Sequence, residues 1–350
     1  MNKIIIPTGY MGSGSSAITD LVAEFEDCKN EFKSYEYVML HCPNGLFDLE
    51  DKLLTGNNAI RSDEALRTFR TQMKKLYDKK FWWVGNYKNI ISTDFMDKVN
   101  NYLNNITQLH YDGYWYTHEE VNFKMFTKLI ARRPFKIILK NKHFKPILKY
   151  NDGMQISFIK PNEFYNFSKE FIYDVINTIS RGSKNVVLDQ FLLPFNLFRV
   201  DNYFNDDTRV IVVQRDPRDV FILNKYIWAQ NNFGVPMPYD VNEFCKYYKG
   251  MRESEKPTNS KKVLRINFED LIYKYDETVK KVIKHLDFSE QMHVNKKTRF
   301  NPDLSIKNTQ IFNSSHKYDD EMQIIESELK EYLYDFPYVL ENKIENTMEF

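Results

Sequence analysis

The sequence lacks the features of a disulfide-rich, membrane-spanning or polyanion-binding protein. Its 350 residues include only three cysteines, Cys28, Cys42 and Cys245, with no paired spacing. This argues against a disulfide framework or a zinc site and fits a reducing compartment. The formal net charge is only +1, so no global basic field favours a nucleic acid as partner.

Long hydrophobic runs are also missing. No run approaches the roughly 18 apolar residues of a membrane-spanning helix. The N-terminus offers only the apolar residues 4–6 before Pro7, far less than the core of a signal peptide. We therefore expect a cytoplasmic protein without a membrane span, long enough for one large domain or two small ones.

A glycine- and serine-rich loop follows this first apolar run. Residues 4–6 predict a buried strand, and the apolar residues of 18–25 recur at the spacing of an amphipathic helix. Strand, loop and helix in this order place backbone N–H groups and a helix N-terminus around an anion. The predicted binding residues of this glycine loop are Tyr10, Met11, Gly12, Ser13, Gly14, Ser15 and Ser16.

The loop departs from the usual nucleotide-triphosphate motif. The spacing from Gly9 to Gly14 matches the start of a Walker A sequence, but Ser15 stands where its lysine should be. This argues against an ordinary ATPase or kinase. The alternative is a glycine–serine turn that joins a strand to a helix and binds nothing.

The middle of the chain has a mainly helical pattern. We predict a second strand over 36–40, then helices within 65–76, 121–130 and 167–179. No low-complexity linker separates this part from its flanks. We therefore expect a single domain over 1–350, with a large, mainly helical insertion over about 46–184.

Two further sets of polar residues in this part are candidate sites: the pair His41 and Cys42, and a basic cluster. We interpret the adjacent His41 and Cys42 as packing residues. The basic cluster over 136–149 is interleaved with apolar residues. It is either a solvated face or a rim that attracts an anionic acceptor or cofactor.

Strand patterns return after the insertion. The apolar runs at 185–190, 209–214 and 263–267 predict strands, so the fold class is α/β with a central parallel sheet. Asp216 and Pro217 suit the start of a helix that follows directly. Arg215 would then lie at the carboxyl end of a parallel strand, placed for bidentate contact with a phosphate. The alternative is a structural salt bridge to a neighbouring Asp.

These elements together resemble the sulfotransferase family, and a bacterial member in particular. The glycine loop 12–16, the stretch 212–220, the stretch 263–271 and the segment 300–308 match in the family's order, over 1–45 and about 185–312. The resemblance implies a three-layer, P-loop-like fold. It also implies 3′-phosphoadenosine-5′-phosphosulfate (PAPS) as donor, with no metal.

The resemblance assigns roles to individual residues. The glycine loop would cradle the 5′-phosphosulfate, and Arg215 would hold the 3′-phosphate. The segment 300–308 resembles the loop that bacterial members fold over the nucleotide. It contributes Ser305, Lys307 and Asn308.

The chain departs from the family at two positions. The basic residue that stabilises charge on the bridging oxygen falls at Gly12, and Lys307 is one candidate to replace it. The serine eight residues after the arginine falls at Leu223, so Arg215 would rely on neighbours such as Asn224.

The general base is predicted from its place in the family. Where the cytosolic branch has a histidine, this chain has Asp189 and Gln190. We predict Asp189 as the base that takes the acceptor's proton and Gln190 as the residue that orients the acceptor. The alternative is that Asp189 only caps a backbone group or pairs with a basic residue. The reserve bases are His110, His118, Glu119 and Glu120.

The predicted reaction is sulfuryl transfer to a hydroxyl, on a carbohydrate rather than a protein. The acceptor prediction rests on the aromatic-rich insertion, the segment 300–308 and the lack of a secretory signal. One alternative is a nucleotide kinase or NTPase with a degenerate P-loop, in which Asp189 would be the acidic strand end. The other is a non-catalytic nucleotide- or glycan-binding relative.

Overall fold

A five-stranded, wholly parallel sheet organises the chain. The computed structural model describes residues 3–29, 35–81, 83–113, 127, 152–229 and 236–340. The strands of the sheet are β1 Lys3–Gly9, β2 Cys28–Lys29, β7 Asn185–Val187, β8 Thr208–Gln214 and β9 Val263–Asn267. Their order across the sheet is β2-β7-β1-β8-β9.

The apolar run of β1 is central because both of its faces are covered. Ile4, Ile5 and Ile6 are all fully buried. Ile5 belongs to the core that contains the first helix, α1 Ser15–Val22, whereas Ile4 and Ile6 belong to the core on the opposite face. A central parallel strand is expected to be continuously apolar for this reason.

Helices cover both faces of the sheet and complete three layers. One face carries α1 and the helix Tyr275–Leu286. The helices that follow β2 in the chain cover the other face. The predicted fold class, α/β with a central parallel sheet flanked by helices, is confirmed.

The described part of the segment between β2 and β7 consists mainly of helices, with two small hairpins. The helices predicted within 65–76 and 167–179 are confirmed as parts of longer ones. The predicted helix within 121–130 and the basic cluster 136–149 lie outside the described residues. The helices are Leu46–Leu54, Ala59–Asp78, Tyr87–Ile90, Phe95–Ile106 and Pro161–Ser180. The hairpins pair β3 Lys80–Phe81 with β4 Val84–Gly85, and β5 Leu109–Gly113 with β6 Asp152–Ile156.

The predicted strand over 36–40 is wrong. The second strand of the sheet is Cys28–Lys29, which pairs with β7. Residues 39–45 form turns instead, in which the N–H groups of His41 and Cys42 both donate to the carbonyl of Val38. Tyr37, Met39 and Leu40 are nonetheless buried. Periodicity alone cannot assign so short an apolar run to a strand.

The remaining described helices follow β7, β8 and β9 along the chain. A 3₁₀ turn, Pro194–Arg199, runs into the helix Val200–Tyr203, and a π-helix, Leu223–Trp228, continues the helix that follows β8. None of the described helices combines the length and apolarity needed to cross a membrane. The other helices are Pro217–Ile222, Val241–Glu253, Asp270–Tyr273, Pro302–Ser305 and Asp319–Glu328.

Candidate functional site

A cleft of about 1230 Å³ opens at the carboxyl edge of the sheet. Three strand ends reach it: Gly9 ends β1, Asp189 follows β7, and Arg215 follows β8. Open parallel sheets bind ligands at this edge. The topology therefore joins residues that are far apart in the sequence.

The glycine loop forms one wall of the cleft. Gly12 and Gly14 have φ angles of +76° and +81°, in the left-handed region that favours glycine. The Ser13 N–H donates to the Tyr10 carbonyl at 2.9 Å and tightens the turn. The first N–H groups of α1 have no intrahelical acceptor, so the loop and the helix start offer donors to an anion.

The close approach of Phe268 also requires a glycine at position 14. A Cβ atom built there would lie 2.9 Å from the Phe268 ring. We expect Gly14→Ala to destabilise the protein by roughly 1–3 kcal/mol, because both the backbone conformation and the contact become strained. Urea unfolding would measure this.

The matched control is Gly250→Ala. Gly250 lies in the helix Val241–Glu253, and a Cβ added there would have no neighbour within 4 Å outside its own helix turn. This change should stabilise the protein by up to about 1 kcal/mol. Equal effects of the two substitutions would contradict the strain at Gly14.

Arg215 ties the glycine loop to the segment 300–308. Its side chain is only 7% exposed and its guanidinium stacks on the Phe268 ring at 4.9 Å. One Nη atom donates to the Gly12 carbonyl at 3.1 Å and the other to the carbonyl of Asn308. The Nε atom is buried and has no hydrogen-bond acceptor among the described residues.

The charge of Arg215 is not consumed by an ion pair. Among the described residues no carboxylate forms a salt bridge with it, and the adjacent Asp216 pairs with Arg218 at 2.8 Å. Asp219 and Glu269 are fully buried nearby, and burial raises the pKa of Asp219 to about 7 and that of Glu269 to about 8. Burial lowers the pKa of Arg215, against the charges of these carboxylates.

Asp189 lies in the same cleft with the properties of a general base. It is 9% exposed, and burial, followed by the charge of Glu36, raises its pKa to about 7. Its Oδ1 atom has no hydrogen-bond partner in the described part of the chain. A base whose pKa is close to neutral is suited to proton transfer at physiological pH.

Gln190 connects the end of β7 to the glycine loop. Its amide oxygen accepts from Thr8 Oγ1 at 2.8 Å and its amide nitrogen donates to Ser15 Oγ at 3.0 Å. Its backbone carbonyl accepts from His41 Nε2 at 2.8 Å. Burial lowers the pKa of His41 to about 4, so this histidine is neutral at physiological pH.

The structure brings most of the predicted site residues together. Tyr10, Met11, Gly12, Gly14, Ser15, Ser16, Asp189, Gln190, Arg215, Ser305 and Asn308 line the cleft.

Three predicted ligands do not line it. Ser13 is buried beneath the loop, and Lys307 is exposed on the turn Ile306–Asn308. Asn224 is fully buried, and its amide donates to the carbonyls of Met237 and Pro238.

Of the four reserve bases, one lies in the described part of the chain. His110 lies on the hairpin strand Leu109–Gly113 and is not among the residues that line the cleft. His118, Glu119 and Glu120 lie outside the described residues. Across the described ranges, no group of three His, Cys, Asp or Glu side chains is arranged to hold a metal ion.

Sequence reasoning missed several residues of the cleft. Arg299 lines it immediately before the segment 300–308, so only its position beside that segment could have identified it. Lys80, Glu36 and Trp83 also line it, and no motif singles them out. His41, interpreted from the sequence as a packing residue, is a further lining residue.

Comparisons with known proteins give a distant likeness. No protein-family model matches the chain, and no curated protein matches it. The sulfotransferase domain of the curacin biosynthetic pathway shares 14% identity at a TM-score of 0.38, covering 96% of this chain and 99% of its own.

Two further solved structures are similar to the same degree. One is the sulfotransferase domain of the Synechococcus PCC 7002 olefin synthase, with 11% identity, a TM-score of 0.38 and coverage of 96% of this chain and 95% of its own. The other is the sulfotransferase STF9 from Mycobacterium avium, with 12% identity, a TM-score of 0.38 and coverage of 98% and 78%. Likenesses at this level carry no information on substrate, cofactor or partner.

Proposed function

We propose that the protein is a sulfotransferase that uses PAPS as donor and a carbohydrate hydroxyl as acceptor. The observation that carries the proposal is the buried guanidinium of Arg215. It joins the glycine loop to the Asn308 turn in one cleft and keeps an Nε donor without an acceptor among the described residues. A buried donor without an acceptor, beside a glycine loop, favours an anionic ligand.

The residues of the cleft fit the two charged ends of such a donor. Loop N–H groups and the start of α1 would bind the 5′-phosphosulfate. Arg215, Ser305, Asn308 and Arg299 would bind the 3′-phosphate. The donor supplies an activated sulfuryl group, and backbone donors with one or two cations suffice to neutralise its charge without a metal.

The acceptor end of the cleft supplies the base. Asp189 takes the proton of the acceptor hydroxyl. At the same time the hydroxyl oxygen of the acceptor forms a bond to sulfur, and the bond from sulfur to the phosphate oxygen breaks. The leaving group is 3′-phosphoadenosine-5′-phosphate (PAP). Gln190 holds Ser15 and the loop against the strand end during this step, through the two bonds of its amide.

Aromatic side chains support a carbohydrate acceptor. Trp83 is 43% exposed and lines the cleft, and its Nε1 donates a 3.1 Å hydrogen bond to Glu36 that fixes the ring. Phe195 and Tyr247 also line the cleft. Exposed ring faces held in one orientation suit stacking against a sugar ring. We assign acceptor binding to these residues and to the insertion over about 46–184, within a single 1–350 domain.

The first test is calorimetric titration with PAP in EDTA. We expect binding without metal, because the proposed ligands are backbone N–H groups, cations and polar side chains that contact the anion directly. Titration with ATP and Mg²⁺ is the control. Binding of ATP with Mg²⁺ but not of PAP would contradict the proposal and favour the kinase.

The missing basic residue at Gly12 supports a second candidate, a non-catalytic nucleotide- or glycan-binding relative. This candidate predicts PAP binding with no transfer from labelled PAPS to any of a panel of p-nitrophenyl glycosides. Turnover on any glycoside would exclude it.

A further inference from the structure

Glu24 is a fully buried carboxylate just beyond α1. Both of its oxygens accept hydrogen bonds, and all the donors belong to one segment of the chain, 293–300. The four donors are His293 Nε2 at 2.7 Å, the N–H of Lys297 at 3.1 Å, and the N–H groups of Arg299 and Phe300 at 2.9 Å each.

Further contacts fix the same segment to the end of α1. The Asn295 N–H donates to the Glu24 carbonyl at 3.2 Å, and the Glu26 N–H donates to the Met292 carbonyl at 2.8 Å. The His293 ring stacks on Phe25, with centroids 4.5 Å apart. The helix that starts in the glycine loop therefore ends against this segment.

The segment continues into the cleft. Arg299 and Phe300 both line it, so two of the bonds of Glu24 go to the backbone of cleft residues. Eight residues beyond Phe300, the Asn308 carbonyl accepts from Arg215. The stretch 293–308 is thus held at one end by Glu24 and at the other by Arg215.

We propose that Glu24 is a positioning residue of the donor site, whose carboxylate sets the backbone of residues 297–300 and thereby places the Arg299 guanidinium in the cleft. This inference rests on the proposed function, because the place of Arg299 matters only if an anionic donor binds there.

Simple packing does not account for a carboxylate at this position. Burying one is unfavourable unless hydrogen bonds compensate for its lost hydration. Backbone N–H groups at residues 297, 299 and 300 supply much of this compensation. Because all three point at the Glu24 carboxylate, the backbone of 297–300 curves around it. An apolar side chain could fill the same space but could not direct this turn.

The test is a double-mutant cycle between Glu24 and Arg299, read by PAP affinity in EDTA. Glu24→Gln replaces one acceptor oxygen with a donor, which then faces two of the four donors. We expect it to weaken PAP binding about tenfold or more, because small displacements of a charged ligand group are costly. Arg299→Ala should weaken binding to a similar degree, and the double variant no further.

The matched control is Glu26→Gln, the same change at an exposed side chain two residues away. It should leave PAP affinity unchanged. Hydrogen exchange at the amides of Arg299 and Phe300 should become faster in Glu24→Gln and not in the control. If Glu24→Gln does not fold, His293→Ala, which removes one donor and keeps the carboxylate, takes its place in the cycle.

The outcomes separate this inference from the proposed function. No PAP binding by the wild type would overturn both. Wild-type affinity in Glu24→Gln, or weakening that adds fully to that of Arg299→Ala, would overturn the positioning role alone. A merely structural Glu24 predicts lower stability with unchanged affinity.

Discussion

Arg215→Ala is expected to weaken PAP binding by about 10- to 100-fold. Hydrogen bonds to charged groups contribute roughly 1.5–3 kcal/mol each. The guanidinium of Arg215 is buried, so water screens its charge little. The substitution also removes the bonds that hold the Gly12 and Asn308 carbonyls, so the loop and the turn lose their link. Calorimetric titration in EDTA measures the loss.

Two further variants separate charge from geometry. Arg215→Lys keeps a charge but not the planar fork, so it should recover only part of the affinity. Arg209→Ala changes the same residue type on the strand that leads to Arg215, where the guanidinium contacts the His285 carbonyl and Asp287 away from the cleft. It should bind PAP normally. Wild-type affinity in Arg215→Ala would remove the main support for the proposed donor site.

The same substitution should change the pH dependence of stability. The pKa values of Asp219 and Glu269 are raised to about 7 and about 8, above their values in the unfolded chain. The protonated form of each side chain therefore stabilises the fold at low pH. This contribution is lost progressively as the pH rises from the unfolded pKa of about 4 to the folded values of about 7 and about 8. The charge of Arg215 lowers the pKa of Asp219, so removing this cation raises that pKa further. Arg215→Ala should lose more stability than the wild type between about pH 5 and about pH 9.

The parts of the site that could be predicted are those encoded by short local patterns. Two such patterns combine a strand with the residues that follow it. One is the run 4–6 with the glycine loop, and the other is the strand that leads to Arg215. The strands and the loop form largely as predicted. Because a parallel sheet brings strand ends to one edge, the residues that follow the strands meet in the cleft. Asp216 caps the next helix as expected, accepting from the Arg218 N–H.

The parts that could not be predicted depend on contacts between distant residues. Glu24 reaches Phe300 across 276 residues, and His41 reaches Gln190 across 149. The prediction of Asn224 as a ligand uses only its distance along the chain from Arg215. Its amide is instead used by the carbonyls of Met237 and Pro238, on a loop that no local pattern relates to it. The strand Cys28–Lys29 is only two residues long and is a strand because β7 pairs with it.

Asp189→Asn is expected to lower the rate of sulfuryl transfer by about 10²- to 10⁴-fold, the contribution of a positioned general base. The amide keeps the size of the side chain but cannot take the acceptor's proton. Donor affinity should stay unchanged, because Arg215 and the glycine loop are intact. The measurement is transfer from labelled PAPS to p-nitrophenyl glycosides, with PAP titration as the control for folding. An unchanged rate would exclude Asp189 as the base.

The pH profile tests the same role through a neighbour. Because the pKa of Asp189 is about 7, wild-type activity should rise with pH through that value as the carboxylate forms. The charge of Glu36 contributes to raising this pKa. Glu36→Gln should therefore keep activity but move the rising limb to lower pH, whereas Asp189→Asn should remove the limb altogether. A limb that stays in place in Glu36→Gln would contradict the assignment of the limb to Asp189, because the charge of Glu36 raises the pKa of that carboxyl group.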